Sequence, residues 1–153
     1  MQNLKNLRAY LYDSDSDSSL QLLCKEKDWD FWSVSEVHKT LQDPHNHLLF
    51  LSCDESVDPW VGLVFFSLIG DSLDVIYIYI SESFRRQGFG LKLLHEMETW
   101  ANRKSGKTVS IYFEVRASHK GAMNLYEEFG AQKIDVRKRY YANQEDAFIY
   151  QKN

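Results

Sequence analysis

Hydrophobic positions along the chain change their period several times, and each change marks an element. "LRAYLY" (Leu7 to Tyr12) predicts a first strand, ended by "DSDSDSS", whose Asp and Ser residues form turns and cap helices. Helices are expected over "SLQLLCKEKDW" and "SVSEVHKTLQ". In the second, Ser33 stands at the N-cap with Glu36 three residues on, the spacing of a capping box, and Pro44 stops the helix. "HLLFLSC" and "WVGLVFFSLI" are apolar runs of strand length separated by "DESVDP", which reads as an antiparallel hairpin. "DSLDVIYIYI" alternates and is rich in β-branched and aromatic residues, so it adds a third strand to the meander.

From Gly88 the period becomes helical. Gly90, Leu93, Leu94, Met97, Trp100 and Ala101 recur on one face of "GFGLKLLHEMETWANRKSG", a helix closed by Gly106. "KTVSIYFEV" alternates again, with Val109, Ile111, Phe113 and Val115 on one face and Ser110, Tyr112 and Glu114 on the other. "HKGAMNLYEEFG" predicts another helix, and strands near "AQKIDVRKRYY" and "DAFIYQK" finish the chain. The order β-α-α-β-β-β-α-β-α-β-β contains no repeat and no linker. It predicts one α/β domain over residues 1–153, a mixed and mostly antiparallel sheet of about seven strands flanked by about four helices.

Composition narrows the function classes. With 44% hydrophobic and 26% charged residues in 153, the chain carries enough apolar surface for a packed core. No stretch reaches the ~20 apolar residues that span a bilayer, and the N-terminus has no signal-peptide core, so a cytoplasmic protein with no membrane association is expected. A net charge of −4 argues against nucleic acid as a partner. The charge is uneven: residues 1–60 hold 5 Lys/Arg and 11 Asp/Glu, whereas residues 81–120 hold 8 and 4. One half thus suits a cation and the other an anion, although both can be ordinary solvated faces. Cys24 and Cys53 read as core residues, and His45 with His47 reads as a turn, so no metal is expected.

The anion-favouring half contains "FRRQGFG" (Phe84 to Gly90), between a strand and a helix. Glycines let backbone approach a ligand, and the free N–H groups at a helix start favour an anion such as a pyrophosphate. The loop lacks the Gly-Lys-Ser/Thr ending of a nucleotide-hydrolysing loop and is not a dinucleotide fingerprint. A charged turn that caps a helix would have the same residues.

Residues 76–150 resemble the GNAT acetyltransferase family, and within it the ribosomal-protein alanine N-acetyltransferases (the RimI type). The family's acetyl-coenzyme A loop, R/Q-x-x-G-x-G/A, falls on Arg85, Gly88 and Gly90. "EVRAS" (Glu114 to Ser118), "NLYEEFGA" (Asn124 to Ala131) and "RKRYYANQEDA" (Arg137 to Ala147) follow in the family's order. "DFWSVSEVHKTL" is similar to the segment that opens the family's second helix, with Phe31 in place of its proline and Trp32 beside it.

The resemblance implies direct transfer of an acetyl group from acetyl-CoA, a co-substrate, to an amine, with no metal. It implies Glu114 as the base, acting directly or through a water, and Tyr126 as the acid for the departing thiolate. Main-chain N–H groups at Ile78 and Ile80 would meet the charge on the thioester oxygen. Arg85, Arg86, Gln87, Gly88, Phe89 and Gly90 would cradle the coenzyme, with His119 standing where the family has an asparagine. Trp32, Tyr140 and Tyr141 are candidate acceptor-binding residues. Read without the resemblance, Glu114 is a solvated charge, and Tyr126, Tyr140 and Tyr141 are packing residues. The implied acceptor is the N-terminal α-amine of a protein such as a ribosomal protein. Alternatives are a small-amine acetyltransferase for polyamines or antibiotics, and a catalytically silent acyl-CoA-binding regulator. Residues 1–60 resemble the family weakly, and the oligomeric state is open.

Overall fold

The computed structural model describes residues 7–12, 17–26, 29–53 and 60–153. Its elements are β1 (Leu7–Leu11), α1 (Asp17–Leu23), α2 (Val34–Thr40), β2 (Asn46–Cys53), β3 (Trp60–Ile69) and β4 (Ser72–Ile80). A 3₁₀ turn (Glu82–Phe84) then leads to α3 (Phe89–Ser105), β5 (Ser110–Arg116), α4 (Lys120–Glu128), β6 (Gln132–Arg137) and β7 (Ala147–Lys152). This is the order that the periodicity predicts. The "DESVDP" turn and most of "DSDSDSS" lie outside the described residues.

Local chemistry sets several boundaries. The capping box forms: the Glu36 amide donates to Ser33 Oγ at 3.3 Å, and the Ser33 amide donates to Glu36 Oε2 at 2.8 Å. Gly106 ends α3 in the left-handed region at φ 71°, where its N–H reaches the Asn102 carbonyl. The first helix is shorter than its sequence pattern, ending at Leu23 instead of running on to Trp29. Tertiary packing overrides propensity there. The chain turns at residues 24–26, and Trp29 meets the edges of Tyr77 and Tyr79, at 5.5 and 5.2 Å between ring centroids.

The strands form one sheet in the order β1-β2-β3-β4-β5-β7-β6. Every neighbouring pair is antiparallel except β4 with β5, which is parallel. Alternation sends Leu48, Phe50, Leu63 and Phe65 to the face covered by α1 and α2. It sends Leu49, Leu51, Val64 and Phe66 to the face covered by α3 and α4, whose Leu93, Leu94, Met97 and Tyr126 complete a larger core. The central strands are buried on both sides, which explains why β2 and β3 read as continuous apolar runs.

One break in this sheet positions the site. β4 pairs with β5 only from Ser72↔Ser110 to Val75↔Phe113. Beyond that point β4 stays with β3 as far as Ile80, and β5 stays with β7 as far as Arg116. Ile76 is an extra residue at a bulge, since Phe65 faces Tyr77 while Phe66 faces Val75. A bulge bends its strand and sharpens the local twist, so the two strands part into a wedge.

Candidate functional site

The wedge exposes main chain. The Ser81 amide donates to the Val61 carbonyl of β3 at 3.0 Å. Strand alternation therefore turns the amides of Ile80 and Ile78 the other way, into the gap. The Ile80 carbonyl points there too, because it accepts from Arg85 Nε at 2.8 Å. Gly62 fixes this strand end: a Cβ on it would collide with the Tyr79 carbonyl oxygen, so no other residue allows β3 and β4 to approach so closely.

Next to the gap, the "RRQGFG" segment turns into α3. Arg86 and Gly88 both take positive φ, 58° and 82°. Gly88 is the N-cap and makes no side-chain cap bond, and the first turn of α3 holds no acidic residue. The first intrahelical bond runs from the Lys92 amide to the Gly88 carbonyl, so the amides of Phe89, Gly90 and Leu91 are free to meet a ligand. They open onto a cavity of about 460 Å³ lined by Ile80, Arg86, Gly88, Gly90, His119 and Leu125, among others.

The two glycines serve different ends. A Cβ on Gly88 would meet nothing within 4 Å, so that residue is glycine for its φ. A Cβ on Gly90 would lie 3.2 Å from Leu125 Cδ2 and 3.8 Å from Ile80 Cγ1, so its absence lets α3 seat against α4 and the strand end. Gln87 closes the preceding turn onto the Ser83 carbonyl at 3.0 Å and does not line the cavity. The Phe89 ring is buried edge-on to Phe84, which leaves its backbone as its contribution to the site.

A second cavity of about 420 Å³ lies on the other side of the gap, lined by Asp30, Glu114, Arg116, Tyr126 and Tyr141 among others. It shares Ile78, Ile80, Arg85, His119 and Ala122 with the first, so the two are halves of one cleft. Tyr126 stacks on Phe113 at 4.2 Å and meets the edge of Tyr150. Burial, and then the nearby Tyr141, push its phenol well above the ordinary tyrosine range, so near neutral pH it stays a proton and hydrogen-bond donor. Glu114, two residues before the end of β5, accepts from Arg137 Nη1 through Oε2 at 2.6 Å.

The turn between β6 and β7 covers the cleft's far edge. Tyr141 is half-buried beneath the Arg116 guanidinium, which sits 3.8 Å from its ring centroid. Burial, followed by the Glu114 charge, raises its phenol. Glu145 anchors the turn by accepting the Ser118 amide at 2.7 Å, and hydrogen bonds from Ser118 hold its carboxyl below the usual range. Tyr140 is exposed at the rim and does not line the cavity.

Trp32 is placed elsewhere. It stacks on Phe31 at 4.4 Å, Phe31 lies flat on Tyr77 at 4.0 Å, and Trp32 lines only hollows beside α2. The same packing brings Asp30 to the cleft, where it accepts from the Tyr77 hydroxyl at 2.8 Å. Sequence reasoning missed Asp30, whose only signal was the acidity of the N-terminal half. It also missed Gly62, although an isolated glycine in an apolar strand run signals a close backbone approach. Among the described residues, no helix is long and apolar enough to cross a membrane, and no group of three His, Cys, Asp or Glu is placed to hold a metal.

The cleft therefore joins helix-start amides that suit an anionic group, strand amides that suit a developing negative charge, a carboxylate and a neutral phenol. Residues 9–131 match the acetyltransferase (GNAT) family. A Bacillus subtilis (strain 168) protein, named by inference as a ribosomal protein bS18-alanine N-acetyltransferase, is 31% identical over 116 residues, spanning 75% of this chain and 74% of its own. The N-alpha-acetyltransferase RimI of Mycobacterium tuberculosis is 28% identical over 116 residues, spanning 73% of this chain and 68% of its own. The crystal structure of the ribosomal-protein-S18-alanine N-acetyltransferase from Escherichia coli superposes with a TM-score of 0.77 at 20% identity, covering 95% of this chain and 92% of the other. The chain belongs to the GNAT acetyltransferase family and is an acetyl-CoA-dependent N-acetyltransferase.

Proposed function

We propose that this enzyme acetylates the N-terminal α-amine of a protein or peptide, with a ribosomal protein as the target class. One observation carries the reading: Glu114 and Tyr126, from different elements, line the same half of the cleft where β4 and β5 part. The names of the relatives, ribosomal-protein alanine and N-alpha-acetyltransferases, support the acceptor class.

The residues present fit acetyl-CoA. Free amides at the start of α3, no carboxylate in its first turn, and Arg85, Arg86 and His119 at the cavity suit a pyrophosphate. The co-substrate supplies an acetyl group already activated as a thioester. Glu114 takes a proton from the acceptor ammonium, directly or through a water, which frees the nitrogen lone pair. The Ile78 and Ile80 amides face the negative charge that grows on the carbonyl oxygen as the C–N bond forms. Tyr126 keeps its proton until the C–S bond breaks and then donates it to the sulfur, and the second proton that the nitrogen sheds as the amide forms restores the phenol through solvent. Tyr141 walls the acceptor side, and Tyr140 lies at its rim.

The test is to incubate the enzyme and labelled acetyl-CoA with a peptide library of varied N-termini and with a polyamine set, and to identify products by mass spectrometry. Acetylated peptide N-termini are expected. Label on polyamines alone would establish a small-amine enzyme instead, and binding without any product would place the acceptor outside both sets and overturn the peptide reading.

A further inference from the structure

Glu114 stands two residues before the end of β5 with a side chain one-third exposed, and among the described residues no side chain of β5 bonds to it. Among the described residues its side chain has one hydrogen bond, and that comes from across the sheet. Arg137, the last residue of β6, donates Nη1 to Oε2 at 2.6 Å, while Oε1 has no partner among the described residues.

Register explains how this contact is reached. β7 lies between β5 and β6, and Arg116, Ala147 and Arg137 form one row across the three strands. Residues in register share a face, and Glu114 is two positions from Arg116 on that same face. Ala147, in the middle of the row, is fully buried. Its single methyl group leaves room for the Arg137 side chain to cross β7 toward Glu114. Arg137 is steadied in turn by Tyr140, whose hydroxyl accepts from the same Nη1 at 3.4 Å and whose ring centroid lies 5.2 Å from the guanidinium.

We propose that Arg137 is a positioning residue for acetyl transfer: by engaging Oε2 it holds the Glu114 carboxylate in one orientation at the cleft that Tyr126 also lines, leaving Oε1 for the acceptor's proton. The proposal rests on Glu114 being the proton acceptor. As a half-exposed ion pair the contact adds little to stability, so its effect falls on alignment. Misplacing a reacting group by an ångström costs about a hundredfold in rate; a carboxylate released from its hydrogen bond to Arg137 still visits the aligned rotamer part of the time, so the expected cost is smaller, about tenfold.

The test compares Arg137→Gln, Arg137→Lys, Glu114→Gln and the double variant Glu114→Gln/Arg137→Gln, with the best library peptide as acceptor. Arg137→Gln is expected to lower kcat about tenfold with the KM for acetyl-CoA unchanged, and Arg137→Lys to recover most of the loss. The double variant is expected to be no slower than Glu114→Gln alone, because Arg137 then has no carboxylate to orient. Three results would overturn the role: wild-type or faster turnover in Arg137→Gln, no recovery in Arg137→Lys, or losses that multiply in the double variant. If Glu114→Gln itself turns over like wild type, the proton-acceptor reading falls and takes the role of Arg137 with it. If Glu114→Gln is slow and Arg137→Gln is not, the role of Arg137 alone falls.

Discussion

The two faces of the sheet build their halves of the cleft from different materials. On the α3 and α4 side, main chain does most of the work: free amides at the start of α3, a left-handed Gly88, and a Gly90 whose missing Cβ leaves room for Leu125. On the α1 and α2 side, side chains form the wall. Phe31 lies flat on Tyr77, Trp29 packs edge-on, and the Tyr77 and Tyr79 hydroxyls hold the carboxylates of Asp30 and Glu26. A main-chain site depends on a few backbone angles and vacant Cβ positions, so it tolerates change in its side chains. A side-chain wall changes its chemistry with each substitution. One fold can therefore keep its coenzyme while its acceptor varies.

Substitutions on the two sides should separate accordingly. Gly90→Val should have the largest effect, because a branched Cβ pushes α3 off Leu125 and Ile80. Acetyl-CoA affinity by calorimetry is expected to fall about a hundredfold or more, the cost of displacing a site by an ångström. Gly88→Ala has open space around it but must hold φ at 82°, a strain of roughly 1–2 kcal/mol. About a tenfold loss of affinity is the expected result, and a loss as large as that of Gly90→Val would show that space, not φ, governs both. Asp30→Asn should leave acetyl-CoA affinity alone and raise the acceptor KM by only a few-fold, as expected for one exposed charge. An equal change in both constants would erase the distinction between the two sides.

The smallest effect concerns stability at high pH. Unfolded, Tyr126 ionises near ~10; folded, it keeps its proton beyond that. The stabilisation is therefore complete below ~10 and is lost as pH rises toward the folded value, because the unfolded state sheds its proton first. Melting curves from about pH 8 to about pH 11 should fall less steeply for Tyr126→Phe than for wild type. Parallel curves would show that the phenol titrates normally.

How much of this was legible in sequence follows the same division. Element order could be read because the periods are clean, and the Ser33–Glu36 cap because it is local. Gly88 and Gly90 could be found because backbone demands leave glycines at fixed spacing, although their separate reasons emerge only from φ and from Leu125. The early end of α1 could not be read, since Trp29 turns away to pack on residues of a strand far along the chain. For the same reason Trp32 falls outside the cleft and Asp30 inside it. The pairing of Arg137 with Glu114 depends on the register of three strands, which no single segment encodes.

The central claim is that Glu114 and Tyr126 perform chemistry in a cleft whose coenzyme half binds independently of them. The direct measurement is turnover and acetyl-CoA affinity on the same preparations of Glu114→Gln and Tyr126→Phe. Loss of a positioned acid or base typically costs about 10²–10⁴-fold, so kcat should fall within that range while affinity stays within about twofold of wild type. Turnover near wild type in both variants would contradict the account.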